Sequence, residues 1–349
     1  MLTPNGGAGV MASPVRLALA GDVMLGRSVN ASLAGGDYAR PWGDLLPTLE
    51  TADLFLINLE CALTARTERW RNGRYKPFYF RADPQAVETL RRGGVAFASV
   101  ANNHTGDFGA RGLQETLATL DGAGIAHAGA GLDRWSAREP ALLTAAGTRV
   151  AVVAFADHPA EWAAAASAPG INYTPVSVAH RHFDQVRVAL AMAREQAEVV
   201  VFSIHWGPNM RAAPSPKFRD FAHAVIEAGA DIFWGHSAHV VQGAEVVRGR
   251  LILYDTGDLV DDYAVDEYLR NDLSALFLVE LRPPVIESVE VVPVRIDDLR
   301  THLSHGSDRA RFVEDFSARC AELGSTVTAE PGPVRVSLPA APAAVATQP

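Results

Sequence analysis

The sequence predicts a layered, sheet-rich α/β fold with helices on the outside. Three observations predict it. Apolar runs of strand length alternate with helical segments through about residue 235, antiparallel β signals follow, and Asp, Glu, Asn and His residues stand directly after the apolar runs. Strands alternating with helices indicate helical layers covering a sheet. In such sheets ligands gather beyond the carboxyl ends of the strands. With 349 residues, 48% of them hydrophobic, the chain is long enough for one large domain around a sizeable core. Residues 1–14 read as a flexible N-terminus, 15–325 as a single domain and 326–349 as a Pro/Ala-rich disordered tail.

Val15–Ala20 is a first buried strand, ended by Gly21-Asp22, and a short helix covers Arg27–Ala34. Asp53–Asn58 is a second strand, ending in Leu59-Glu60. The stretch from Arg66 to Arg81, which includes Arg74, is basic and aromatic, and reads either as a substrate-facing loop for an anion or as a solvated loop with aromatics beneath it. Asp83-Pro84 opens a helix to about Arg92, with Asp as N-cap and Pro at the first position. Val95–Val100 is the third strand, leading to Asn102-Asn103-His104 and a helix over Ala110–Ala123. Short strands follow at Ile125–Ala130 and Arg149–Ala156, the latter running into Asp157-His158-Pro159. Val176–Glu195 reads as an amphipathic helix with His180 and His182 on its solvent side. Glu198–Ile204 is a strongly apolar strand ending at His205-Trp206-Gly207, and Phe218–Glu227 is a helix in which His223 reads as structural. The apolar run Ala230–Trp234 ends at Gly235-His236-Ser237-Ala238-His239. A hairpin over Val240–Val247 and Arg250–Tyr254, an antiparallel pair over Ala275–Leu281 and Val285–Val294, and a closing helix over Ser307–Leu323 complete the chain.

Two imidazoles on the turn after a buried strand are well placed to hold a metal, because a rigid strand end fixes neutral imidazole ligands. Other strand ends then supply the remaining ligands: Asp22, Glu60, Asn103 and His205. Asn103 offers a carbonyl oxygen, Glu60 stands where a bridging carboxylate is needed, and His104 can transfer protons. Carboxylate, Asn and His together suit Mn, Fe, Zn or Co, one or two ions per chain, and a pure sulfur site is excluded by the two lone cysteines, Cys61 and Cys320. Two ions bridged by a carboxylate can activate a water and stabilise an in-line phosphoryl displacement.

A formal net charge of −9 argues against a general nucleic-acid binder but not against an anionic substrate, since a bound metal supplies positive charge locally. The N-terminus lacks the basic and apolar regions of a signal peptide. No apolar run approaches the roughly 20 residues of a membrane span. The expectation is a soluble, cytoplasmic protein with an anionic small-molecule or polymer substrate.

The motifs Ala20-Gly21-Asp22-Val23-Met24, Asn58-Leu59-Glu60, Asn102-Asn103-His104, His205-Trp206-Gly207, Gly235-His236-Ser237-Ala238-His239 and Val240-Val241-Gln242-Gly243 resemble, in order and over about residues 15–295, the CapA family. These are poly-γ-glutamate capsule biosynthesis proteins of the calcineurin-like metallophosphoesterase superfamily. The resemblance implies a four-layered α/β/β/α sandwich. It implies a metal centre with Asp22 and Glu60 as carboxylate ligands, Glu60 bridging. Asn103, His205 and His236 would complete one ion, His239 would serve the other, and His104, with Asp22, would act in catalysis. The activity implied is metal-dependent hydrolysis of a phosphoester or related anionic substrate. The alternative is a non-hydrolytic accessory protein of capsule or cell-envelope polymer synthesis. Three departures stand out. Met24 occupies the histidine position of the superfamily's Asp-x-His motif, two residues rather than one separate His236 from His239, and Asp255-Thr256-Gly257-Asp258 stands where the family commonly has Ser-Leu-Gly-Asn. The added carboxylates read as a ligand, a substrate contact or, more simply, a chain turn.

Overall fold

The computed structural model describes residues 13–71, 75–179, 181–329 and 332–338. Arg74, His180, most of the N-terminal segment and the tail beyond 338 therefore lie outside the described residues. Two large sheets dominate. A ten-stranded mixed sheet runs in the order Val327–Thr328, Val334–Val336, Val285–Asp297, Leu273–Arg282, Val15–Val23, Leu54–Leu59, Val95–Ser99, Ala126–Ala128, with Asp258–Val260 beside Val15–Val23 and Arg300–Leu303 beside Val285–Asp297. A six-stranded sheet runs Ala244–Val247, Arg250–Leu253, Ile232–His236, Val199–His205, Thr148–Ala156, Ala141–Ala145.

Side chains on a strand alternate between faces, so a strand buried on both sides divides its apolar residues between two cores. The six-stranded sheet does this. Val150, Val152, Ala154, Val199, Val201, Ile232 and Trp234 join the core between the sheets, while Ala151, Val153, Phe155, Val200, Phe202, Ile204 and Phe233 pack on the helices Phe183–Gln196 and Pro216–Glu227. In the ten-stranded sheet, Phe97 meets Trp234 across the inner core, whereas Phe55 turns outward to Trp42, whose indole Nε1 donates to the Thr89 carbonyl of the helix Val87–Arg92. The result is the α/β/β/α sandwich that the motifs imply.

Several boundaries differ from the sequence reading. The first strand continues through Asp22 to Val23, because Asp22 and Val23 pair with Asn58 and Leu59 on one side and with Asp258 and Val260 on the other. The helix expected from Val176 starts at Phe183, and the strand Ala141–Ala145 pairs antiparallel with Thr148–Ala156 although no strand was expected there. Asp83 is extended at the helix start but makes no capping hydrogen bond; its Oδ2 accepts from Asn30 Nδ2 at 3.1 Å instead. Part of the expected disordered tail is sheet. Val334 and Val336 alternate with Arg335 and are buried, and this segment pairs between Val327–Thr328 and Val285–Asp297. No described helix is long and apolar enough to cross a membrane.

Two glycines let the backbone close around the future site. A Cβ on Gly21 would lie 1.7 Å from the Gly257 carbonyl oxygen, and one on Gly235 would lie 2.1 Å from the Tyr254 carbonyl oxygen. Backbone cannot swing aside as a side chain can. Gly21→Ala is therefore expected to destabilise by about 3 kcal/mol, the upper end of ordinary overpacking, read as a lowered urea midpoint at unchanged m-value.

Candidate metal centre

Register brings the polar residues together. On the six-stranded sheet His205 pairs with His236, and both are in phase with inward-facing neighbours, Val201 and Trp234. On the ten-stranded sheet Asp22 is level with Asn58 and Asp258. The two rows meet at the carboxyl ends of the strands. Asp22 Oδ1 lies 3.6 Å from His236 Nδ1 and 3.8 Å from His205 Nδ1, and the two imidazole nitrogens are 3.1 Å apart. Asp22 Oδ2 lies 3.4 Å from His239 Nδ1, which is 2.8 Å from Asp258 Oδ1. Two groups of three ligand-type side chains therefore share one buried carboxylate, Asp22. Ser203 Oγ engages His236 Nε2 at 3.0 Å, which leaves Nδ1 facing Asp22. Asn58 Nδ2 donates to Asp22 Oδ1 at 2.6 Å, and Asn102 Nδ2 in turn donates to Asn58 Oδ1 at 3.1 Å.

Glu60 stands to one side. Its Oε1 is 3.9 Å from His205 Nε2 and 3.8 Å from His104 Nε2, and its Oε2 accepts from the Tyr263 hydroxyl at 2.8 Å. Asn103 borders a cavity of about 760 Å³ together with His104 and His239. His104 has a partner of its own: Nδ1 donates to Asp107 Oδ2 at 2.7 Å, Asp107 Oδ1 is 3.0 Å from Lys76 Nζ, and the Phe80 ring stacks on the imidazole at 3.9 Å. That contact fixes the tautomer and leaves Nε2 directed to the Glu60 side.

Asp22 Oδ2, Glu60 Oε1, Asn103 Oδ1, His205 Nε2 and Asp258 Oδ2 are all buried without a hydrogen-bond partner. Buried polar groups are almost always satisfied, and buried charges are paired or bind metals. Five unsatisfied atoms, every one an oxygen or imidazole nitrogen, are the donor set a borderline divalent ion takes. The residues present fit such an ion. Backbone geometry agrees. Ser237 and His239, on the turn after His236, hold left-handed φ values of 117° and 58°, which non-glycine residues adopt at a cost and which concentrate at functional sites.

The remaining candidates divide. Asp255 is a turn residue, accepting from the Ala238 and Gly257 amides at 2.8 and 2.9 Å. Asp258 is not; it belongs to the centre. His158 pairs with Asp157, and its ring lies 5.4 Å from that of His205 without joining either group. His223 bonds Glu245 Oε2 at 2.9 Å. The basic stretch divides: Lys76, Phe78 and Phe80 line the cavity, while Trp70 packs edge-on against Trp162 and Arg66 pairs with Glu115. Asp107 and Tyr263 are contributors that motif reading did not select, Asn58 stood in a motif without a role, and Asp258 was left between ligand, contact and turn. Asp107 lies three residues from His104, which is the signal that could have found it.

Electrostatics give a test. Burial, and then the negative charge of Asp22, push the Glu60 carboxyl well above its ordinary range, and burial raises Asp255, Asp258 and Asp261 as well. Burial lowers His205, and lowers His236 to about 4. Burial also pulls His239 down, but the Asp258 and Glu60 carboxylates more than reverse this and hold it high. Raised carboxyls cost stability as pH climbs from their unfolded values toward their folded ones, and the stability from raised His239 is lost over the range above its unfolded value. The lowered histidines act only below about pH 6.5. Above that pH every contribution has one sign. Metal-free protein is expected to lose thermal stability steadily from about pH 6.5 to 8.5, and a bound divalent ion to flatten the slope. Melting curves with chelator and with added ion check this.

The model of the family described as "Bacterial capsule synthesis protein PGA_cap" matches residues 16–263. A probable polyglutamine synthesis accessory protein of Mycobacterium tuberculosis is 33% identical over 317 residues, 87% of this chain and 83% of that one. A capsule biosynthesis protein CapA of Bacillus anthracis is 28% identical over 81% of this chain and 67% of its own length. A solved 5′-nucleotidase of Candida albicans overlays with a TM-score of 0.45 at 8% identity, covering 89% of this chain and 59% of that one. The chain thus belongs to the family of bacterial capsule synthesis proteins.

Proposed function

We propose that the chain is a metal-dependent hydrolase acting on a phosphoester or related anionic substrate in the synthesis of a capsule or other cell-envelope polymer. One observation carries this reading: five unsatisfied buried ligand atoms converge beside a His104–Asp107 pair at the wall of an open cavity. Asp22, Glu60, Asn103, His205, His236 and His239 would hold one or two ions of Mn, Fe, Zn or Co, with Asp258 joining Asp22 and His239. Divalent ions there would polarise a phosphoryl oxygen and lower the pKa of a water. Protonated to the imidazolium, His104 would give its Nε2 proton to the leaving group while Nδ1–H stays on Asp107. Asp107 orients the ring, and Lys76 and Phe80 keep Asp107 and the imidazole in place. Tyr263 fixes Glu60, and Asn58 fixes Asp22. Two buried unpaired thiols, Cys61 and Cys320, agree with action in a reducing compartment such as the cytoplasm.

The test is elemental analysis of the purified protein, followed by assay of p-nitrophenyl phosphate and bis-p-nitrophenyl phosphate with each of the four metals. Bound metal with turnover lost in chelator is expected. Bound metal with no turnover of any ester would favour the second reading, a non-hydrolytic accessory protein that binds an anionic polymer. The name of the Mycobacterium tuberculosis relative supports that reading. Binding of poly-γ-glutamate in the absence of turnover would establish it.

A further inference from the structure

Two cations line the cavity beside the centre, Arg27 and Lys76. Lys76 is committed: its Nζ contacts buried Asp107 at 3.0 Å and donates to the Asn103 carbonyl at 2.9 Å. Arg27 is different. Asp262 holds one edge of its guanidinium, with Nε donating to Oδ1 at 2.8 Å and Nη2 to the same oxygen, and the Asp262 side chain is itself only 7% exposed. Among the described residues Nη1 has no hydrogen-bond partner. A guanidinium has five donors in a rigid fork, so one edge can be anchored while another receives an anion.

The position of Arg27 relative to the centre is defined by two rings. Its guanidinium lies 4.9 Å from the Phe80 ring centroid and 5.4 Å from that of Tyr263. Phe80 stacks in turn on His104 at 3.9 Å, and Tyr263 bonds Glu60 and lies 5.0 Å from His239. Arg27 is therefore one ring removed from both halves of the centre, on the wall of the same cavity. The residue also holds a left-handed φ of 49°, an unfavourable conformation for a long side chain. Its guanidinium is thus held beside the cavity by an anchored carboxylate, two rings and a costly backbone turn.

We infer that Arg27 binds a second anionic group of the substrate, a carboxylate or a phosphate, set apart from the group that meets the metal centre by about the width of one aromatic ring. This rests on the reading that the cavity is the substrate site, and it narrows the substrate to a molecule with two separated anionic groups. Asp262 is the positioning residue that presents Arg27.

Calorimetry on the metal-loaded protein tests the inference without turnover. The probes are 3-phosphonopropionate, with two anionic groups, and propylphosphonate, with one. Wild type is expected to bind the first about tenfold tighter, the effect of one charge-assisted contact. Arg27→Gln should abolish the difference and leave propylphosphonate affinity unchanged, and Arg27→Lys should retain part of it. Unchanged propylphosphonate affinity also shows that the variant is folded. Equal binding of the two probes by wild type, an undiminished preference in Arg27→Gln, or no binding of either probe would overturn it. A protein that prefers 3-phosphonopropionate but turns over no ester would sink the hydrolase reading and leave this one standing. Inorganic pyrophosphate added as a third probe separates a preference for phosphate from one for carboxylate.

Discussion

Asp22→Ala should empty the centre of its ions, whereas His239→Ala and Asp258→Ala should each remove one ion and leave one. The asymmetry follows from geometry. Asp22 is the carboxylate common to both ligand groups, with Oδ1 toward His205 and His236 and Oδ2 toward His239. Asp258 contacts His239, lies level with Asp22 and hydrogen-bonds Asp261, and it reaches neither His205 nor His236 in the shared group. Met24 does not contribute, because its thioether sulfur accepts the Gly26 amide at 3.0 Å and is turned to the backbone. Asp258 lies beside Asp22 on the adjacent parallel strand, in register with it. Changing a group that only orients a ligand costs about 10–100-fold in affinity or activity, so loss of a shared ligand should exceed about 100-fold in turnover. Elemental analysis decides it. Two ions per chain in Asp22→Ala would remove Asp22 from the ligand set. Two ions in both His239→Ala and Asp258→Ala would remove the second group. A circular dichroism spectrum matching that of wild type separates loss of a ligand from loss of the fold.

Much of this centre was legible in the sequence, because strand ends are places where sequence and space agree. His205 and His236 each close an apolar run, which marks a buried strand end, and the register that pairs them sets both on the same sheet face. Register within the ten-stranded sheet was not legible. Nothing local says that Asp258 lies level with Asp22, because that register depends on Gly21 and Gly257 admitting a backbone contact that one Cβ would block. For the same reason Asp255 and Asp258, three residues apart and chemically alike, took opposite roles, one closing a turn and one facing the ligands. Tyr263 and Arg27 carried no motif, and their meaning comes from the Phe80 ring stacked on His104 and the Tyr263 ring edge-on to His239. The strand Val334–Val336 was hidden by the prolines around it, although its alternation was visible.

His104→Ala is expected to slow hydrolysis of an alkyl phosphoester by about 10²–10⁴-fold, the usual contribution of a positioned proton donor, while metal content stays at the wild-type level. His104 belongs to neither of the two groups of three ligand-type side chains. Nδ1 is committed to Asp107, and Nε2 stands 3.8 Å from Glu60 and beside the cavity. Burial is the first cause lowering its pKa, and the Asp107 carboxylate opposes that loss, so Asp107→Asn should weaken proton donation without deleting it. The choice of leaving group separates two roles. A proton delivered to the departing oxygen matters when that oxygen is a strongly basic alkoxide, and hardly at all when it is p-nitrophenolate. A proton donor therefore predicts a large loss on the alkyl ester and a small one on the nitrophenyl ester. Equal losses on both would place His104 on a phosphoryl oxygen, where it would stabilise charge whichever group departs. Asp107→Asn should then follow the same pattern at smaller amplitude. A pattern that differs between the two variants would mean that Asp107 holds Lys76 and the Phe80 amide in place more than it serves the imidazole.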